Sequence, residues 1–334
     1  MLGQQLQPGL HQLPPALFGS EAAGSGGGHA DPSLLHGLAP SRVPVITPGH
    51  EAAGEIDGLG SPTPGWHVGD RVVLAAGKAC GTCRACVAGG GLDDCLDQRV
   101  MAFDYDGAWA EYVVVPVAAL CRVPEDMPLE EAAVLADAVS TPYAAVVESG
   151  RVRPAESVGV WGLGGVGTHL VQAARLVGAA PIIALDPLPA ARERALELGA
   201  DHALDPTAED VPDRIAELTE DAGLDVAFDI VARSGTMTQA HAALGHRGRL
   251  VLVGVSPDPL DLGPEAAYAV SRHTTIGHLG YRKSHLQELV RLVSLGRLDV
   301  SRSVSAVLPL EDIAEGIRRL ESKEGNPVRI VIKP

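Results

Sequence analysis

The chain carries two kinds of hydrophobic patterning, one after the other. From Val43 to about residue 120, apolar residues come in short β-rich bursts (VPVITPGHEAAGEI, GWHVGDRVVLAA and GAWAEYVVVP), each bounded by Gly, Pro or Asp, which predicts an all-β block of short strands. Leu129 to Gly150 changes to helical spacing, with Ala132, Ala133, Leu135 and Ala136 apolar. From Ser157 the text alternates. Strands are predicted at 158–161, 181–185, 225–231, 249–254 and near 274–279, with helices at 166–177, 189–198 and 236–244. Such alternation predicts a parallel, doubly wound sheet. Gly178 and Gly199 fall where helices should end. Lys283 to Gly296 and Leu308 to Glu321 read as helices and Val328 to Ile332 as a closing strand, whereas no strand is legible over residues 1–30.

The junction of the first strand and helix of the alternating half reads S-V-G-V-W-G-L-G-G-V-G, residues 157–167. Its G-x-G-x-x-G spacing places Gly162 at a tight turn, Gly164 where backbone must approach a pyrophosphate, and Gly167 where helix packs on strand. The helix start at Gly165 and Val166 then offers free N–H groups to the phosphates. The next strand ends at Asp186, 19 residues beyond Gly167, where a carboxylate can bind a ribose 2′-OH and repel a 2′-phosphate. NAD is therefore expected over NADP. Val231, Val253 and Gly254 lie at the C-terminal ends of later strands, where an open parallel sheet forms its crevice.

Composition narrows the partners. The 334 residues suffice for two domains, and aromatic residues are only 3%, so the cores must be built from Val, Leu and Ala. A formal charge of -16 argues against nucleic acid, whose phosphates the surface would repel. No apolar run is long enough to span a bilayer, and the first residues lack the pattern of a signal peptide, so a cytoplasmic protein is expected. Four of the five cysteines, Cys80, Cys83, Cys86 and Cys95, fall within a single glycine-containing loop. Four thiolates so spaced can close a tetrahedron around Zn²⁺ with no open position, the arrangement of a structural site. Cys121, alone after an apolar strand, reads as an inert buried thiol.

Taken in order, PGHEAAGEI, GDRVV, CGTCRAC, DGAWAEYVVVP, DAVSTPY and GVWGLGGVG resemble the medium-chain zinc alcohol dehydrogenase family, over about Ala30 to Pro334. The resemblance implies an α/β protein: a discontinuous, β-rich GroES-like catalytic domain (1–140 and 283–334, with a zinc lobe at 78–97) and a Rossmann domain (141–282). It implies a catalytic zinc at His50, Glu51 and Asp137, with Asp31 orienting His50, and it places Thr141 beneath the nicotinamide and Arg329 near a phosphate. Relatives draw a further ligand from a G-x-C-H-x-D segment. Here that segment reads Gly26-Gly27-Gly28-His29-Ala30-Asp31, with Gly28 in the cysteine's place. Ala30 and Ser33 likewise replace the family's proton-relay residues.

The expected activity is NAD-dependent, zinc-assisted interconversion of a small or medium alcohol and its aldehyde or ketone, in a homodimer or tetramer. Two alternatives stay open: a reductase of the same fold without catalytic zinc, and a non-catalytic relative that only binds dinucleotide.

Overall fold

The computed structural model describes residues 42–60 and 63–334, and the strand backbones of 15–18 and 24–27. Its strands are β1 (Pro15–Phe18), β2 (Gly24–Gly27), β3 (Ala52–Leu59), β4 (Arg71–Leu74), β5 (Gly77–Lys78), β6 (Arg99–Val100), β7 (Val114–Pro116), β8 (Leu120–Arg122), β9 (Val158–Trp161), β10 (Ile182–Leu185), β11 (His202–Leu204), β12 (Leu224–Asp229), β13 (Leu244–Leu252), β14 (Thr274–Gly277), β15 (Val304–Pro309) and β16 (Arg329–Lys333).

The chain is a two-domain α/β protein. Six strands form a parallel sheet in the order β11-β10-β9-β12-β13-β14. The central strands β9 and β10 read as continuous apolar runs because both faces are covered. Val158, Val160, Ile182 and Ala184 enter the core on one side, while Trp161, Ile183 and Leu185 enter the core on the other. The strand order reverses between β9 and β12, and the crevice above that point is where such a sheet takes a ligand. The glycine turn following β9 stands at its edge.

The remaining strands, apart from the β5-β6 hairpin, make an eight-stranded mixed sheet among the described residues. Here both faces of the central strands are packed. Ala53, Val73 and Cys121 face one core, whereas Ala52, Ile56, Val72, Leu74 and Leu120 face another. The chain returns to this sheet at its end, since β15 and β16 pair with each other and β16 pairs with β2. Among the described residues no helix is long and apolar enough to cross a membrane.

Residues 129–149 join the two sheets as one helical segment with two widened turns. Leu129–Val134 is α-helical, Leu135–Val139 is a π-turn, Ser140–Ala144 is α-helical again, and Ala145–Ser149 is a second π-turn. Pro142 has no N–H to give to the carbonyl of residue 138, which accounts for the first loosening. The turn it widens carries Asp137.

Several sequence expectations need correction. The stretch 1–30 contains β1 and β2, which carry no amphipathic pattern and are strands because β3, β7 and β16 lie alongside to pair with them. Leu308 to Glu321 is not one helix. Burial alternates with period two over β15, Pro309 closes that strand, and the helix runs only over Ile313–Ser322. The predicted strand 249–254 is β13, which begins five residues earlier, and the helix before it is Ser234–Ala242. Between residues 199 and 225 the structure adds β11, the three-residue edge strand, and the Val211–Leu218 helix, whose largely polar face hid it. Gly178 and Gly199 do follow helix ends, with φ of 86° and 112°.

Candidate functional site

Three elements bring a cluster of titratable groups together. Gly49 adopts φ 95° against the backbone and ring of Trp109, and this turn delivers His50 and Glu51 at the start of β3, both buried. The π-turn delivers Asp137. One ligand atom from each of His50, Glu51 and Asp137 lies within 4.8 Å of the others, and His50 Nε2 stands 3.4 Å from Asp137 Oδ2. Two donors bound tetrahedrally at roughly 2.0–2.1 Å would be separated by about 3.3 Å. The imidazole and two carboxylates thus fit a zinc ion.

Each acid has its own environment. Burial acts to raise the Asp137 carboxyl, but His50, the Thr141 hydroxyl that donates to Oδ1, and Arg329 outweigh it and hold the group below its ordinary value. For Glu51 burial wins. The carboxyl is pushed up to about 7, although Arg329 pulls the other way. Arg329, the first residue of β16, donates from Nε and Nη2 to the Glu51 oxygens at 3.1–3.2 Å. Donors aimed at both oxygens favour the ionised carboxylate against the burial that opposes it.

The expected dinucleotide residues are gathered at the crevice. Gly162 has φ 91°, and a Cβ on Gly167 would lie 1.7 Å from the Gly162 carbonyl oxygen, so this close packing of helix on turn requires glycine. A Cβ on Gly164 would meet nothing within 4 Å. Gly165 and Val166 begin the helix, and Gly165 is pressed against the Arg329 guanidinium. Asp186 directly follows β10, and its carboxylate accepts hydrogen bonds from the Leu163 and Leu188 amides at 2.8 and 2.9 Å. Val231 projects half-exposed beside Gly162, and Val253 and Gly254 follow β13. Thr141, one turn after Asp137, belongs to both groups.

The four cysteines are drawn together in the loop between β5 and β6. Their Sγ atoms lie within 4.8 Å of one another, with Cys83 and Cys86 3.4 Å apart and Cys80 and Cys86 4.0 Å apart. A zinc–sulfur bond of ~2.3 Å gives a tetrahedral edge of about 3.8 Å. Backbone amides of Cys80, Cys83, Cys86 and Leu96 point at these sulfurs. Amide donors of Thr82 and Cys83 draw the Cys80 thiol down to about 6, toward the thiolate a metal needs. Cys121 is buried in the core, and burial raises its thiol to about 11.

Asp31, His29 and Gly28 lie outside the described residues. No local motif marks the pairing of Arg329 with Glu51, or His278, which reaches the helical segment at Thr141. The signal available for His278 was its place just past the C-terminal end of a parallel strand.

Comparison with known proteins gives the chain a family. Residues 165–294 match the zinc-binding dehydrogenase family, and residues 21–125 match the alcohol dehydrogenase GroES-like domain. The chain is 30% identical to an NDMA-dependent alcohol dehydrogenase of Amycolatopsis methanolica, over 91% of this chain and 88% of that protein. Among solved structures, the alcohol dehydrogenase TADH of Thermus sp. ATN1 superposes with a TM-score of 0.86 at 29% identity, covering 100% of this chain and 95% of the other. A Sinorhizobium meliloti structure described as a zinc-binding dehydrogenase and bound to NADP gives a TM-score of 0.85 at 26% identity, covering 96% and 92%.

Proposed function

Because the chain belongs to the medium-chain, zinc-type alcohol dehydrogenase family and is an oxidoreductase acting on CH–OH groups, we propose that it is an NAD-dependent dehydrogenase interconverting a small or medium alcohol and its aldehyde or ketone. The catalytic domain comprises 1–140 and 283–334 and the coenzyme domain 141–282. His50, Glu51 and Asp137 would hold a zinc ion, and the four cysteines a second, structural one. When bound, the catalytic ion is a Lewis acid that eases loss of the alcohol proton and polarises the carbonyl in reverse.

The chain's own residues set up the rest. Thr141 fixes one Asp137 oxygen and so turns the other toward His50. Arg329 cancels one of the two carboxylate charges and keeps Glu51 at the floor of the site. Gly162, Gly164 and Gly167 shape the turn for a pyrophosphate. Asp186, which braces that turn through Leu163, presents acceptor oxygens beside the expected ribose and favours NAD.

The observation that carries this reading is the 3.4 Å approach of His50 Nε2 to Asp137 Oδ2, from segments 87 residues apart, beside Thr141. The test combines metal analysis with coenzyme reduction over a panel of alcohols, using NAD and NADP separately. About two zinc ions per chain and faster reduction of NAD support the reading. A Gly28→Cys variant run alongside decides whether a thiolate at that position is dispensable.

A second reading has one observation in its favour. Both Glu51 oxygens engage Arg329, so the guanidinium supplies a positive partner for this carboxylate from the protein itself. A reductase lacking catalytic zinc would contain about one zinc per chain and keep its turnover after mild chelation.

A further inference from the structure

His278 follows β14 directly and projects back onto the helical segment that carries Asp137. Its Nε2 lies 3.0 Å from the Thr141 carbonyl oxygen and its Nδ1 lies 2.9 Å from Ser149 Oγ. A carbonyl can only accept, so Nε2 carries the proton. In the neutral ring Nδ1 is then the acceptor, and the Ser149 hydroxyl donates to it. Burial holds the imidazole below its ordinary pKa, which favours that neutral form.

The consequence is a directed series of hydrogen bonds. Ser149 donates to His278, His278 donates to the Thr141 carbonyl, the Thr141 hydroxyl donates to Asp137 Oδ1, and Asp137 Oδ2 faces His50. Ser149 and Thr141 lie at opposite ends of the Ser140–Ala144 helix and its following π-turn. The His278 ring therefore clamps both ends of this irregular stretch to the edge strand of the coenzyme sheet. A regular helix would not need such a clamp. This one is broken on either side by widened turns, whose backbone is held less tightly by its own bonds.

We propose that His278 is a positioning residue for hydride transfer: by gripping Thr141 and Ser149 it locks the Asp137 turn to β14, fixing the candidate metal ligand relative to the coenzyme crevice. The inference rests on the dehydrogenase reading above. It predicts an effect on kcat rather than on folding, because the clamp sets the relative position of two already folded parts.

Three variants test it. Gln reaches as far as Nε2 and keeps a donor for Thr141, Asn reaches only as far as Nδ1, and Leu keeps bulk without hydrogen bonds. The inference expects H278L and H278N to lose about 10- to 100-fold in kcat, with KM for the alcohol changed less than about threefold, and H278Q to recover most of the loss. Cobalt(II) substituted for zinc gives a second readout, its visible bands shifting in H278L and returning in H278Q. Full kcat in H278L overturns the inference. So does an H278Q variant as impaired as H278L with an equal fall in Tm, since the ring would then be only packing. If the wild-type protein reduces no coenzyme with any alcohol, the dehydrogenase reading fails, and the cobalt spectra alone still decide whether His278 controls the geometry at Asp137.

Discussion

Arg329 and Glu51 form a buried two-pronged ion pair, the Arg side chain 2% exposed and the Glu side chain 0% exposed, joining the last strand of the chain to the turn that carries His50. Removing one member leaves a charge buried without its partner. We expect R329M and E51Q each to destabilise the protein by roughly 3–5 kcal/mol, and the double variant to fall well short of the sum. Urea unfolding of the four proteins gives the coupling directly, and additive losses would show that the pair is not coupled.

This pair illustrates what the sequence could and could not tell. His50, Glu51 and Asp137 were legible because each sits in a local motif, and a motif survives without knowledge of the fold. Arg329 was legible as a cation near the end of the chain, but its partner lies 278 residues away and no local pattern carries that pairing. The centre of the parallel sheet could be read from the apolar runs of β9 and β10, since those runs are wholly buried. β2 could not: GSGG offers no apolar side chain to pattern, and its place comes from β3 and β16. The Val211–Leu218 helix was missed for the opposite reason, since only Val211 and Ile215 are buried there.

The glycine turn makes a prediction that separates folding from binding. At Gly167 an added methyl would collide with the Gly162 carbonyl, which is backbone and cannot swing away, whereas at Gly164 it would meet open space. G167A should therefore lower Tm by several degrees and lose coenzyme together with fold. G164A should melt like the wild type yet bind NADH at least about tenfold more weakly, because the methyl occupies the backbone's approach to the pyrophosphate. Differential scanning fluorimetry with a fluorescence titration of NADH distinguishes the two, and equal NADH affinity in G164A would place the phosphates elsewhere.

Polar contacts tie the four-cysteine lobe, and the chain just before it, to the segment around residues 281–283. Asp93 accepts from the backbone N–H of Lys283 at 2.8 Å, at the start of the Lys283–Ser294 helix, and the Ala76 amide donates to Tyr281 Oη at 3.0 Å. The lobe has few buried side chains of its own, so its order should depend on metal. C83S is expected to lower zinc content by about one ion per chain, open residues 78–97 to limited proteolysis, and leave NADH binding within about threefold. Retention of zinc and of protease resistance in C83S would count against a metal-organised lobe.

The last prediction concerns acid stability. His169, on the helix that follows the glycine turn, is buried with Nδ1 2.6 Å from the Gly165 carbonyl oxygen and Nε2 2.7 Å from Ser303 Oγ. The carbonyl only accepts, so Nδ1 holds the proton and Nε2 accepts from the serine. Burial, and then the charge of Arg329, push the ring down to about 3 from an ordinary 6.5. Between those values the unfolded chain binds a proton that the folded chain refuses. The contribution of His169 is thus fully present above pH 6.5 and is lost as the pH falls toward 3, at up to about 1.4 kcal/mol per pH unit. In H169N the amide can still donate to Gly165, at a cost of about 1–2 kcal/mol near neutrality for the lost bond to Ser303, and nothing at that position titrates. Its stability should fall less steeply below pH 6.5, so the two curves converge and cross on the acid side. Urea midpoints at pH 7, 6, 5 and 4 measure both slopes, and parallel curves would mean that His169 takes up its proton in the folded protein after all.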